Sequence, residues 1–136
     1  MLFRSSDFGA EGDKVDVVVF AAPQLSIIEM ANVARLIDGQ KVHEDTALLV
    51  CTSPTVAAES RRLGFTETIE TAGGKVLEGT CFYQQYAREI GEANGWTRLL
   101  SNSAKIVNIL GGYGYQPALA SAADCVEAAV AGRVGG

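Results

Sequence analysis

The chain has 136 residues, 48% of them hydrophobic and 20% charged, with 11 basic and 16 acidic side chains and a net charge of −5. At that length and apolar content one domain with a packed core is expected. A disordered chain is excluded, and so is nucleic-acid binding through a broad basic face. The most apolar run, residues 17–22, is far too short to span a bilayer, so no membrane partner is expected.

Residues 1–14 are polar, carry Asp7, Glu11 and Asp13, and lack the apolar stretch of a signal peptide. They are expected to be a flexible lead-in to a single domain over 15–133, in a cytoplasmic protein. Residues 15–20 are β-branched and almost continuously apolar, which predicts a buried parallel strand, stopped by Pro23. Ser26 and Glu29 have the spacing of a capping box, and Ile27, Met30, Ala31, Ala34 and Ile37 recur at helical spacing up to Gly39. The unit then repeats. Residues 46–51 read as a second strand, and Ser53-Pro54 is a cap residue followed by proline in the first turn. Val56, Ala57, Ser60 and Leu63 mark that helix, Gly64 ends it, and 65–71 predict a short helix with Ile69 facing inward. Gly73-Gly74 leads into a third strand at 75–79, and residues 80–95 are expected to be partly helical. A fourth strand follows at 96–100, a helix at 103–110, and a last helix at 119–131, capped by Ser121 or Asp124 and ended by Gly132.

This alternation predicts an α/β fold with three layers. The expectation is a mostly parallel sheet of about four strands with helices on both faces, Rossmann-like or flavodoxin-like, joined by right-handed crossovers. In such sheets ligands sit outside the carboxyl ends of the strands. That rule singles out residues 21–26, 51–55, 80–83 and 101–105.

Ser53, with Cys51 and Thr52, opens a helix whose hydroxyls and N–H groups suit an anion; the plain alternative is a helix cap. Ser101-Asn102-Ser103-Ala104-Lys105 gathers two hydroxyls, an amide and an ammonium at a strand-to-helix turn, which suits a carboxylate or phosphate; the alternative is a capping run followed by a solvated lysine. The three cysteines, Cys51, Cys81 and Cys125, are widely spaced and form no C-x-x-C, so free thiols are expected. Cys81, next to Thr80 at the end of the third strand, lies at the ligand edge, where a thiolate suits iron or zinc and a thiol suits the core. His43, the one histidine, lies among Lys41, Glu44 and Asp45 and reads as a surface residue, so no Ser-His-Asp set is indicated. Asp124 and Glu127 read as capping and solvated groups. The Gly111-Gly112-Tyr113-Gly114-Tyr115 loop does not run from a strand into a helix, so it is not a phosphate-binding fingerprint.

Five segments carry a resemblance. Ala21-Ala22-Pro23-Gln24 followed by Ser26-Ile27-Ile28-Glu29 resembles a strand leading into a Gly-Cys/Ser-Pro-His turn and a Ser-Leu-Glu-Glu helix. Cys51-Thr52-Ser53 precedes a helix ending in Leu63-Gly64-Phe65. Ala72-Gly73-Gly74, a strand and Gly79-Thr80-Cys81 resemble a Gly-rich turn, strand and Asp-Thr-Cys. Ser101-Asn102-Ser103-Ala104-Lys105 is similar to Thr-Asn-Ser-Ala-Lys, and Ala123-Asp124-Cys125-Val126-Glu127 opens the last segment. In order and spacing they span roughly residues 15–133 and resemble the C-terminal part of the large subunit, or large domain, of aconitase X, a branch of the aconitase superfamily.

The resemblance implies a hydro-lyase that dehydrates a small hydroxy acid, such as cis-3-hydroxy-L-proline or mevalonate 5-phosphate. It implies an iron centre, an iron–sulfur cluster or a mononuclear iron, held by cysteines from separate parts of the chain. Cys81 would then be a metal ligand, and Ser101, Asn102, Ser103 and Lys105 would be contacts for the substrate anion. Cys125 stays a core residue. Two departures stand out. Ala22 and Gln24 replace the polar or ligand-capable groups of the turn, and a full large subunit would be about three times this length by ordinary domain sizes. The expected partners are therefore the remaining large-subunit domains and a small swivel subunit or domain. The alternative is a non-catalytic α/β binding module with a decayed metal site. An independent flavodoxin-like protein is a third reading, for which no dinucleotide fingerprint is present.

Overall fold

Residues 3–4, 14–78, 98–102 and 116–133 are described by the computed structural model of the chain. In chain order they form β1 (Phe3–Arg4), β2 (Val17–Leu25), α1 (Ile27–Ile37), β3 (Ala47–Thr52), α2 (Pro54–Leu63), α3 (Phe65–Thr71), β4 (Lys75–Glu78), β5 (Arg98–Ser101), β6 (Gln116–Leu119) and α4 (Ala122–Ala131). The sheet order is β1-β6-β5-β2-β3-β4. β2 to β6 run parallel, and β1 pairs antiparallel with β6.

β2 sits at the centre because its valines tolerate burial on both faces. Val17, Val18 and Val19 are all fully buried. Val18 is level with Leu48 and Leu100, and this row joins Met30, Ile37, Ile69 and Ala129 in the core beneath the helices. The alternate row, Val19, Leu49 and Ser101, faces the other side and is buried too. Asp16 sets the lower end of this arrangement: its carboxylate accepts from Arg98 N–H at 3.0 Å, and its carbonyl accepts from Ala47 N–H at 3.0 Å.

From β2 the chain steps outward to β3 and β4, then returns to the other side of β2 for β5 and β6. Successive steps in one direction with one handedness place α1 and the α2–α3 pair on the same face. α1 touches α2, α3 and α4, so the described helices form one continuous layer. The expected parallel α/β architecture is what the chain adopts. The expected helices of 80–95 and 103–110 lie outside the described residues.

Several boundaries differ from the sequence expectation. The strands number six among the described residues, not about four. β2 does not stop at Pro23 but runs to Leu25. Its pairing with β3 passes from Phe20↔Val50 to Leu25↔Thr52, so five steps on β2 match two on β3. The ladder is interrupted where proline falls, which is where a strand tolerates it. The last helix starts at Ala122, not 119, because Gln116–Leu119 completes the sheet beside β5 and Ser121 supplies the cap, accepting from Asp124 N–H at 3.1 Å. Within the lead-in, Phe3 and Arg4 form an edge strand. Among the described residues no helix is long and apolar enough to cross a membrane.

Candidate functional site

The direction of winding reverses between β2 and β5, and in open parallel sheets such a switch point leaves a crevice at the carboxyl edge. A cavity of about 310 Å³ opens there. Its walls are Phe20 and Leu25 of β2, and Ile28, Glu29, Asn32 and Val33 of α1. Asn102, which follows β5, and Ala122 at the start of α4 close the other side. The four α1 residues pair at (i, i+4) spacing and so share one helix face.

The local sequence fixes this face. Ser26 Oγ accepts from Glu29 N–H at 3.2 Å, and Glu29 Oε1 accepts from Ser26 N–H at 2.9 Å, which makes the capping box the spacing predicts. Arg35 donates to Asn32 Oδ1 at 2.7 Å, so a guanidinium stands one hydrogen bond behind the cavity wall. The carboxyl end of β2 is drawn back to β3 by the buried Thr52 hydroxyl, which donates to the Leu25 carbonyl at 2.7 Å. The cavity thus combines an apolar floor with two amides and one carboxylate, a combination that orients a small polar ligand.

The sequence-predicted site residues fall into three groups. Asn102 is exposed and lines the cavity. Ser53 lies one strand away as the N-cap of α2, its hydroxyl accepting from Val56 N–H at 3.2 Å. Ser101 ends β5, fully buried, with its hydroxyl donating to the Val19 carbonyl at 2.6 Å. Cys81, Ser103 and Lys105 lie outside the described residues. The helix starts at Ser26, Ser53 and Ser121 all follow the carboxyl ends of parallel strands, so three N-termini share this edge. The cavity walls from α1 were not singled out in the sequence, although residues 28, 29, 32 and 33 form a legible helical face beside the predicted edge.

Among the described residues no three His, Cys, Asp or Glu side chains gather to hold a metal. Cys51 and Cys125 are both buried, and neither is in a disulfide. Burial pushes the Cys125 thiol well above its ordinary range, with the Asp124 charge adding to the effect, so it stays protonated and unsuited to metal ligation. The described residues alone therefore do not fit an iron centre. Cys125 is a core residue, as expected. His43 is half-buried rather than a surface group: its Nδ1 accepts from Asp45 N–H at 3.1 Å and its ring packs on Gly132. Asp124 and Glu127 are exposed.

Comparison with known proteins gives this geometry a family. Residues 15–131 match the family model of the aconitase X third domain. The chain is 33% identical over 132 residues to cis-3-hydroxy-L-proline dehydratase of Pseudomonas aeruginosa, covering 96% of this chain and 22% of that protein. It is 32% identical over 93 residues to the phosphomevalonate dehydratase large subunit of Methanocaldococcus jannaschii, covering 68% of this chain and 22% of that subunit. The fold matches the crystal structure of Thermococcus kodakaraensis aconitase X in its holo-form with a TM-score of 0.69, at 22% identity, over 85% of this chain and 29% of that one. The chain thus spans roughly a quarter of the length of these relatives. It belongs to the aconitase X family, where it corresponds to the third domain.

Proposed function

We propose that this chain is the third domain of an aconitase X-type hydro-lyase that dehydrates a small hydroxy acid of the hydroxyproline or phosphomevalonate kind. The match of residues 15–131 to the family's third domain, beside relatives that are themselves dehydratases, carries the reading. On this account the carboxyl edge of the sheet is one wall of an active site completed by the remaining large-subunit domains and a small swivel domain. The Asn102 amide donates to the substrate's carboxylate or phosphate, and Ser103, Lys105 and the Ser53 helix start favour the same negative charge, whereas the expected contact from Ser101 is withdrawn because its buried hydroxyl donates to the Val19 carbonyl. Cys81 supplies one thiolate to an iron or iron–sulfur centre whose other ligands come from outside this chain. When bound, such a centre acts as a Lewis acid on the leaving hydroxyl. The protein is cytoplasmic on this reading.

The second reading, a non-catalytic binding module, is favoured by Ala22 and Gln24 at the turn where the resembled family pattern has polar groups. Iron content and visible absorbance of the assembly, purified anaerobically with its other domains, separate the two. The hydro-lyase reading expects iron that is lost in Cys81→Ser. An assembly without iron, or one whose iron is unaffected by that substitution, overturns the role of Cys81 and favours the binding module.

A further inference from the structure

Asn32 lines the cavity and is half-buried. Arg35, three residues further along α1 and exposed, donates to the Asn32 side chain at 2.7 Å. A guanidinium carries five N–H donors and no acceptor, so only the amide oxygen of Asn32 can meet it. That contact fixes the orientation of the amide. Its oxygen is held on the Arg35 side, and its NH2 group is left for the cavity. Among the described residues that NH2 group has no hydrogen-bond partner. It is a preset donor on a wall where Leu25, Ile28 and Val33 carry no polar side-chain atom.

The charges around Asn32 say what it would donate to. A hydrogen bond from a guanidinium polarises the amide and strengthens its NH2 group as a donor to an anion. Glu29 is the one charged side chain among the described residues that lines the cavity, and its carboxylate opposes an anion there. Its Oε1, however, already accepts from Ser26 N–H at 2.9 Å in the first turn of α1, where the aligned peptide dipoles offset a negative charge. Arg35 therefore leaves the Asn32 side of the wall net positive without entering the cavity. One guanidinium acting through an amide suits a single negative charge better than a phosphate dianion. Asn102 brings a second amide from the opposite wall. Two amides across one recess suit the two oxygens of a carboxylate.

We propose that Asn32 is a further substrate contact, donating to the carboxylate of the hydroxy acid from the wall opposite Asn102, and that Arg35 is the positioning residue that holds its amide for this role. The identity of the substrate rests on the hydro-lyase reading; the preset donor rests on the Arg35–Asn32 hydrogen bond.

The test uses the assembled enzyme with cis-3-hydroxy-L-proline and mevalonate 5-phosphate. KM and kcat are measured for a compound that is dehydrated, and a calorimetric Kd for one that is not. Asn32→Asp keeps a partner for Arg35 and puts a carboxylate oxygen where the NH2 group was. Its melting should hold, while affinity for the bound compound falls by about ten-fold or more. Arg35→Met frees the amide and should weaken binding as well, and Arg35→Lys, which keeps a donor, should restore part of the loss. The loss should fall on KM rather than kcat, as expected of a contact made before and during reaction. Unchanged affinity in Asn32→Asp overturns the contact, and unchanged affinity in Arg35→Met overturns the positioning role. If mevalonate 5-phosphate is the compound bound, mevalonate should lose affinity equally; a loss confined to the phosphorylated compound assigns the contact to phosphate and overturns the proposal. An assembly that binds with the expected pattern yet dehydrates neither compound leaves the contact standing and removes the hydro-lyase reading. One that dehydrates with all three variants unchanged does the reverse, and one that binds neither compound overturns both.

Discussion

The Thr52 hydroxyl reaches from the end of β3 to the Leu25 carbonyl, 2.7 Å away, and closes the irregular end of β2 against its neighbour. Both residues are buried, so neither group has water as a ready substitute. Thr52→Val keeps the shape and removes the donor. A loss of about 1–3 kcal/mol in urea denaturation is expected. Thr52→Ser, which keeps the hydroxyl, should lose less, and an equal loss in both variants would contradict a role for the bond.

Ser26, Ser53 and Ser121 each cap a helix at the carboxyl edge of the sheet. Replacing any one by alanine should cost about 1 kcal/mol. Ser53→Asp separates capping from anion contact. It preserves the cap, so stability should hold. A carboxylate at that place should repel a substrate anion, raising KM in the assembled enzyme if Ser53 faces substrate and leaving it unchanged if Ser53 only caps.

Gly132 and Gly39 both adopt φ of +78°. A Cβ at Gly39 meets nothing within 4 Å, whereas one at Gly132 falls 2.7 Å from the His43 ring. Gly39→Ala should cost about 1 kcal/mol for the left-handed backbone alone. Gly132→Ala should cost at least about 1 kcal/mol more, from the clash. Urea midpoints with unchanged m-values test this.

Cys125 gives a pH signature. Burial raises its thiol pKa in the folded chain, so the unfolded chain loses the proton first as pH rises. The native state then binds more protons than the unfolded state, and stability must fall with pH above the unfolded thiol value of about 8.5. The limiting slope is about 1.4 kcal/mol per pH unit. Cys125→Ala should flatten the alkaline limb by that amount. An identical limb would contradict the assignment. Below about pH 8 the thiol is protonated in both states and contributes no slope.

The elements legible from sequence are those whose local signals agree. Ser26 and Glu29 announce α1, Ser53-Pro54 announces α2, and the valines of β2 announce a central strand. β6 was missed because Gln116–Leu119 has no β-branched residue and contains Pro117; its strand state comes from pairing with β5, a tertiary effect. The same holds for β2 beyond Pro23, where pairing with Thr52 and its hydroxyl tie the path to β3. The carboxyl edge of the sheet was legible because strand ends mark it, and a cavity lined by Asn102 lies there. The direction of the Ser101 hydroxyl was not, since it depends on how β5 registers with Val19. The apolar walls contributed by α1 follow from helix packing that no motif encodes.

The most direct test of the central claim is water loss from cis-3-hydroxy-L-proline and from mevalonate 5-phosphate by the anaerobically assembled enzyme, with and without this domain. Dehydration of one of the two that requires this domain, and that falls in Asn102→Ala while the assembly stays intact, is the predicted result. Dehydration that proceeds equally well without the domain, or an intact iron-loaded assembly that dehydrates neither compound, would contradict the account.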